Sequence, residues 1–227
     1  MCPLEQRLNA VRHRLALAET EAGRKPGSVR LLAVSKTQPA RILAAAYGLG
    51  QRHFGENYLQ EALEKQARLA HFEITWHFIG PIQSNKTRAI AQHFHWVHSV
   101  DRLKVAQRLS EQRPAHLPPL NICLQVNISG ESSKSGVAPD ELAALAQQIA
   151  ALPHLRLRGL MAIPAASPDP EQQRRPLARL RECYLALQAG FGLDTLSMGM
   201  SDDLAAAVAE GSTLVRIGTA IFGARKP

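Results

Sequence analysis

Arg30-Leu-Leu-Ala-Val-Ser-Lys36 reads as a buried strand, a short run rich in Leu and Val. It is entered after Pro26-Gly27-Ser28 and stopped by Thr37-Gln38-Pro39. Strand side chains alternate between faces, so Lys36 is expected to point the same way as Val34 and Leu32. A charge on the apolar side of a strand is costly unless it is paired or neutralised. Desolvation lowers a lysine's pKa, and a neutral amine attacks carbonyl carbon. Two readings follow: a Schiff-base lysine, or a first loop residue reaching into water. The stretch by itself favours the second, and the rest of the chain has to decide.

Working outward, the same pattern recurs. Leu4, Leu8, Val11, Leu15 and Ala18 have helical spacing and predict a helix ahead of the first strand. Pro39 opens a helix that closes at Gly48 and Gly50. Strands are then expected at 52–54, 74–79, 95–98, 120–128, 155–163, 195–198 and 213–217, alternating with helical patterns, and the last is followed by Gly218-Thr-Ala-Ile-Phe-Gly223. Asp101 and Ser201 stand where N-caps belong, and Pro139-Asp140-Glu141 opens a helix in the expected order. Eight strands alternating with helices predict a parallel closed sheet: an α/β fold, a (β/α)8 TIM barrel with an additional N-terminal helix. The alternative is an open doubly wound sheet. No composition shift divides the chain, so 1–227 is expected to form a single domain.

Composition agrees with that reading. The 227 residues are 45% hydrophobic and 20% charged, a globular balance with ample core. No apolar run approaches the eighteen or so residues of a membrane span, and the N-terminus lacks the apolar segment of a signal peptide. The three cysteines, Cys2, Cys123 and Cys183, lie far apart and form no CxxC. That argues against a disulfide framework or zinc site and suits a reducing cytoplasm. The net charge of +8 is spread along the chain, with one dense patch from Arg174 to Arg181 on a helical pattern. Aromatics are 5% and form no RNA-binding signature, so no nucleic-acid partner is expected.

In a barrel the active face lies at the C-terminal ends of the strands. The exits to inspect are Lys36, Asn57, His77, Lys134, Met161, Ser197 to Ser201, and Arg216 to Thr219. The last two strand exits form the usual phosphate site, and here they read Ser197-Met-Gly-Met-Ser201 and Arg216-Ile-Gly-Thr219. Glycine lets a backbone approach an oxyanion, and Ser201 and Thr219 add hydroxyls where helical turns begin. Asp202 and Asp203 would repel a phosphate unless they point outward. Gly218 to Gly223 has P-loop spacing, but Ala224 stands where the lysine must be.

Arg216 shares its strand face with Leu214 and Gly218 and lies just beneath the mouth. A buried arginine needs an acceptor. That acceptor is either a carboxylate or a ring nitrogen of a cofactor. Lysine, phosphate cradle and arginine together suit pyridoxal 5′-phosphate. An arginine donor leaves the pyridine nitrogen unprotonated, so the ring is a weaker electron sink than one facing aspartate.

At these residues the sequence resembles the pyridoxal phosphate homeostasis protein family, relatives of the barrel domain of alanine racemase. The matching segments are LLAVSKTQP, FGENYLQE, WHFIGPIQSNK, SVD, VNISGESSKSGV, RGLMAIP, LSMGMSDDL and RIGTAIFGAR, spread over almost the whole chain. The resemblance implies one barrel with Lys36 as the aldimine lysine and Arg216 near the pyridine nitrogen. It further implies that Ser201, Gly218 and Thr219 hold the phosphate, with Asn57 near the ring. The function it implies is holding and delivering the cofactor, in exchange with pyridoxal-phosphate-dependent apo-enzymes, without established turnover.

Three alternatives bear on that expectation. A racemase of this barrel type uses a second β-domain and a tyrosine acid/base, whereas the tyrosines here are Tyr47, Tyr58 and Tyr184. Tyr47 and Tyr184 fall on predicted helices, and Tyr58 follows the second strand exit. His77 could serve as a base or be a hydrogen-bonded core residue. A class I aldolase-type barrel would use Lys36 with no cofactor. Lys134, in the longest exit loop, is either a second amine for cofactor in transit or a solvated loop lysine. Without a β-domain the racemase dimer contact is missing, so a monomer is expected.

Overall fold

In the computed structural model, which describes residues 2–130, 135–165 and 167–224, eight parallel strands close into a barrel in sequence order. Helix α1 (Pro3–Glu21) precedes β1 (Arg30–Val34). There follow α2 (Ala40–Gly48), β2 (His53–Glu56), α3 (Leu59–Arg68), β3 (Thr75–Phe78), α4 (Thr87–His93) and β4 (Trp96–Val100). The second half continues with α5 (Leu103–Gln112), β5 (Leu120–Gln125), α6 (Leu142–Ala150) and β6 (Leu155–Met161). It ends with α7 (Pro170–Phe191), β7 (Thr195–Ser197), α8 (Leu204–Ala209), β8 (Leu214–Ile217) and the single turn α9 (Thr219–Phe222). Closure is seen at β1, which pairs with β2 through Ala33 and Phe54 and with β8 through Leu32 and Arg216. The open doubly wound alternative is therefore wrong.

The strands present two different faces. Outward residues such as Ala33, Phe54, Phe78, Val97, Ile122, Leu160 and Val215 join the buried faces of the helices in one continuous core. On α1 the buried stripe is Leu4, Leu8, Val11, Leu15 and Ala18, the face expected from the spacing. The inward face holds a separate small cluster, Trp96, Cys123 and Met161, with buried His77, His98, Ser197 and Arg216 around it. Burying that much polarity is tolerable only where each group finds a partner. One glycine is required for closure: a Cβ at Gly159 would collide with the Thr195 carbonyl of the neighbouring strand.

Several boundaries differ from the sequence reading. β1 stops at Val34, so Lys36 stands in the turn after the strand. β5 ends at Gln125, beyond which Val126 bridges in parallel to Val137. α7 begins well before Leu177: Asp169 caps it by accepting from the Glu171 N–H, and Pro176 sits within it. Neither expected cap at 101 or 201 is made. Arg102 is the N-cap of α5, while Asp101 is occupied by the Arg102 guanidinium at 2.6 Å. α8 starts two residues later than Ser201 requires, after Asp203, whose Oδ1 accepts from the Met200 N–H. At 101 a nearer donor captured the carboxylate, and at 201 the N-cap position passed to Asp203, outcomes that capping rules do not describe.

Candidate functional site

The C-terminal mouth of the barrel opens into a cavity of about 580 Å³. Lys36, Asn57, Ser201, Arg216, Gly218 and Thr219 all line it. They come from the exits of β1, β2, β7 and β8, so barrel closure brings the two ends of the chain to one space. Val34, Ile79, Ile163 and Met200 supply apolar wall. Val34 and Lys36 line the same cavity, as strand alternation predicted, although Lys36 lies in the turn.

That turn is held firmly. Thr37 has φ of 66°, the left-handed value that a β-branched residue avoids, and is the sole such non-glycine among the described residues. Its N–H donates to Glu61 Oε1 at 2.6 Å. On the other side of Lys36, the Ser35 hydroxyl donates to Glu56 Oε1 at 2.6 Å. Lys65 Nζ ties these together by donating to Glu61 Oε1, and to Glu56 Oε1 and the Ser35 carbonyl at 2.8 Å each. Burial pushes the Glu56 carboxyl up, against the pull of Lys65 and Ser35. The residues flanking Lys36 are thus fixed by α3 and β2.

Arg216 is buried at the floor. Nη1 donates to the Ser197 carbonyl at 2.6 Å and to Ser197 Oγ at 2.8 Å, and Nη2 donates to the Ala162 carbonyl at 2.8 Å. Nε–H and the second Nη2 hydrogen find no acceptor among the described residues, although the residue is only 5% exposed. Burial pushes its pKa down to about 10, which leaves it a cation at neutral pH. No carboxylate pairs with it within the described residues. Asn57 Oδ1 is likewise buried without a partner there. Its backbone sits tightly against Gly80, where a Cβ would run into the Asn57 carbonyl.

The Ser201 end of the cavity departs from expectation in one respect. Asp202 does not point away: it lines the cavity, exposed. The sequence reading also missed the cation that offsets it. Arg14, on α1, lines the same cavity, and its Nη2 donates to the Ser201 carbonyl at 2.9 Å. Nothing in a helical repeat distinguishes Arg14 from any exposed arginine. Thr219 begins α9, whose first N–H groups have no helical acceptor. Among the remaining candidates, Tyr58 is 55% exposed at the N-cap of α3 and does not line the cavity. Tyr47 and Tyr184 lie on α2 and α7. His77 is a fully buried interior residue bonded to two other histidines. Met161 packs inside the barrel with Trp96 and Cys123. Lys134 lies outside the described residues.

The chain is similar to known proteins along nearly its whole length. The family model "Alanine racemase, N-terminal domain" matches residues 6–226. A Pseudomonas aeruginosa protein named pyridoxal phosphate homeostasis protein is 64% identical over 225 residues, 99% of this chain and 97% of that one. The Escherichia coli K12 protein of the same name is 52% identical over 229 residues, 99% of this chain and 98% of its own length. Among solved structures, PipY of Synechococcus elongatus with pyridoxal phosphate bound has a TM-score of 0.85 at 39% identity. That match covers 97% of this chain and all of PipY (100%). Alanine racemase from Corynebacterium glutamicum shares the fold alone, at 20% identity and TM-score 0.69, with 62% of its chain covered. With relatives this similar along its whole length, the chain belongs to the pyridoxal phosphate homeostasis protein family, built on the N-terminal barrel of alanine racemase.

Proposed function

We propose that this protein binds pyridoxal 5′-phosphate in the barrel mouth and takes part in its homeostasis, holding the cofactor and releasing it to apo-enzymes that need it. The observation that carries the reading is Arg216: a buried cation at the cavity floor with two N–H bonds uncommitted and no carboxylate hydrogen-bonded to it among the described residues. The bound cofactor brings an aldehyde that condenses with a primary amine, a pyridine nitrogen that accepts a hydrogen bond, and a phosphate dianion. The residues present fit each part. Lys36 offers the amine from a turn fixed on both sides. Arg216 donates to the ring nitrogen and keeps it an acceptor. Ser201, Gly218 and Thr219 hold the phosphate, aided by Arg14 against Asp202. Asn57 sits beside the ring, with its orphan Oδ1 turned from water.

A holding role is supported over racemisation by the wall itself. Among the described residues that line the cavity none is a tyrosine or histidine, so the tyrosine acid/base of a racemase has no counterpart there. The names of the relatives describe homeostasis. We further infer that residues 1–227 act as one domain, as a monomer in the cytoplasm. Among the described residues no helix is long and apolar enough to cross a membrane.

The test is direct. Purified protein incubated with pyridoxal phosphate is expected to turn yellow, to bleach with borohydride, and to carry the reduced adduct on the Lys36 peptide. Lys36→Ala should lose the adduct and the colour. A colourless wild-type protein, or an adduct mapped elsewhere with Lys36 unmodified, overturns the assignment. Solvent deuterium appearing at Cα of an added amino acid would move the reading to the racemase class.

A further inference from the structure

Beneath the cavity, the barrel interior holds a continuous line of polar side chains drawn from β2, β3, β4 and β7. His53 Nδ1 lies 3.0 Å from His77 Nε2, and His77 Nδ1 lies 2.9 Å from His98 Nε2. His98 Nδ1 lies 2.9 Å from Ser197 Oγ, which in turn accepts from Arg216 Nη1 at 2.8 Å. His77, His98 and Ser197 are fully buried, and the His77 ring stacks on Trp96 at 5.5 Å between centroids. The inner face of a barrel is ordinarily filled by branched apolar residues. Three imidazoles there, each stepped two residues along from its neighbour in the strand register, call for a reason.

Hydrogen-bond valence decides where the protons are. Arg216 can only donate. Ser197 Oγ accepts from it and keeps one proton of its own, and the other partner of that oxygen is His98 Nδ1. His98 therefore accepts at Nδ1 and carries its proton on Nε2, facing His77 Nδ1. The same logic puts the His77 proton on Nε2, facing His53 Nδ1. The reverse order would leave the Ser197 hydroxyl proton with no acceptor among the described residues, in a fully buried site. The groups around the row oppose any added positive charge: Arg30 and His95 act on its His53 end, and Arg216 acts on His98. Burial and these neighbours push His53 down to about 4 and His98 to about 3, so the rings are neutral at pH 7.

We propose that Ser197, His98, His77 and His53 are positioning residues for Arg216, ordered as Nε2–H tautomers, which direct its uncommitted N–H bonds at the pyridine-type nitrogen in the mouth. The row gives the guanidinium an oriented acceptor that carries no negative charge. A carboxylate in that place would neutralise the cation, whereas a polarised line of neutral imidazoles leaves its charge available to the ligand. This rests on the reading of the cavity as the pyridoxal phosphate site.

The experiment uses full-length protein with 15N-labelled histidine and two-bond 1H–15N spectra at pH 7, the three rings being assigned from single His→Gln variants. Before any cofactor is added, His77 and His98 are expected as neutral Nε2–H tautomers. A protonated ring, or an Nδ1–H tautomer at His98, overturns the row. Pyridoxal phosphate should then shift the His98 and His77 resonances, though neither lines the cavity. At saturating cofactor, Ser197→Ala should lose the single tautomer at His98 and displace the absorbance maximum of the bound chromophore, and Ser197→Thr should restore both. Wild-type histidine spectra and absorbance in Ser197→Ala would mean that the two carbonyls alone hold Arg216, and would sink the proposal. Failure of the wild type to take up cofactor would overturn the site reading instead, and the tautomers of the unloaded protein still decide the row.

Discussion

His98 has no contact with bulk water, and its neutrality matters for the fold as well as for the site. In the unfolded chain it titrates near 6.5, and in the barrel near 3. The unfolded state therefore takes up the proton first as acid is added. Stability from this residue is complete above about pH 6.5 and is lost on the way down, at up to about 1.4 kcal/mol per pH unit. Denaturant midpoints measured from pH 7.5 to 4.5 should fall steadily below pH 6.5, and His98→Gln should flatten that slope. An unchanged slope would show that other groups govern the acid limb. At this scale the two kinds of site residue differed in legibility. Lys36, Ser201, Gly218 and Thr219 stand out because a strand end and its glycine turn are local patterns. The histidine row could not be read the same way. Strand parity turns His53, His77 and His98 inward, but which of them touch depends on the stagger between neighbouring strands.

Among elements, the turn after β1 is the most constrained. Thr37 in the left-handed region costs roughly 1–3 kcal/mol, sustained by the bonds that surround it. Those bonds converge on Lys65, whose side chain is 6% exposed beside a fully buried Glu56. Lys65→Met would leave Glu56 without its cation and with only the Ser35 hydroxyl, and removing one partner of a buried pair costs about 3–5 kcal/mol. Adding Glu56→Gln to that variant should recover part of the loss in chemical denaturation, because the stranded charge is gone. No recovery would mean that Lys65 acts through packing alone. The helix pattern predicted α3 but gave no hint of this role, since Lys65 looks like an ordinary member of a charged face. Asp101 and Ser201 failed as caps for a related reason: the arginine beside Asp101, and the Met200 N–H answered by Asp203, set the local geometry before capping could.

Across the whole molecule, the closed wall couples the first strand to the last. If residues 1–227 are one domain, as we infer, heat should unfold the protein in a single transition whose calorimetric and van't Hoff enthalpies agree. Saturation with pyridoxal phosphate should raise that midpoint in the wild type and much less in Lys36→Ala. Two separate transitions would refute the single unit. The βα alternation made the barrel legible from sequence, because eight repeats leave few other architectures, whereas the clasp formed by α1 was not legible. Arg14 reaches the Ser201 carbonyl across 187 residues of chain, and Arg7 reaches the Ile221 carbonyl across 214. At about 5–20 residues per second of synthesis, those partners emerge roughly 10–40 s after the helix that binds them. Arg7 and Arg14 of the opening helix thus wait for partners from the far end of the barrel, whereas Arg12 meets its own, the Leu49 carbonyl, early. A nascent chain that lacks residues 201–221 has no finished mouth to fill, so a ligand of that mouth cannot act as a template for early folding.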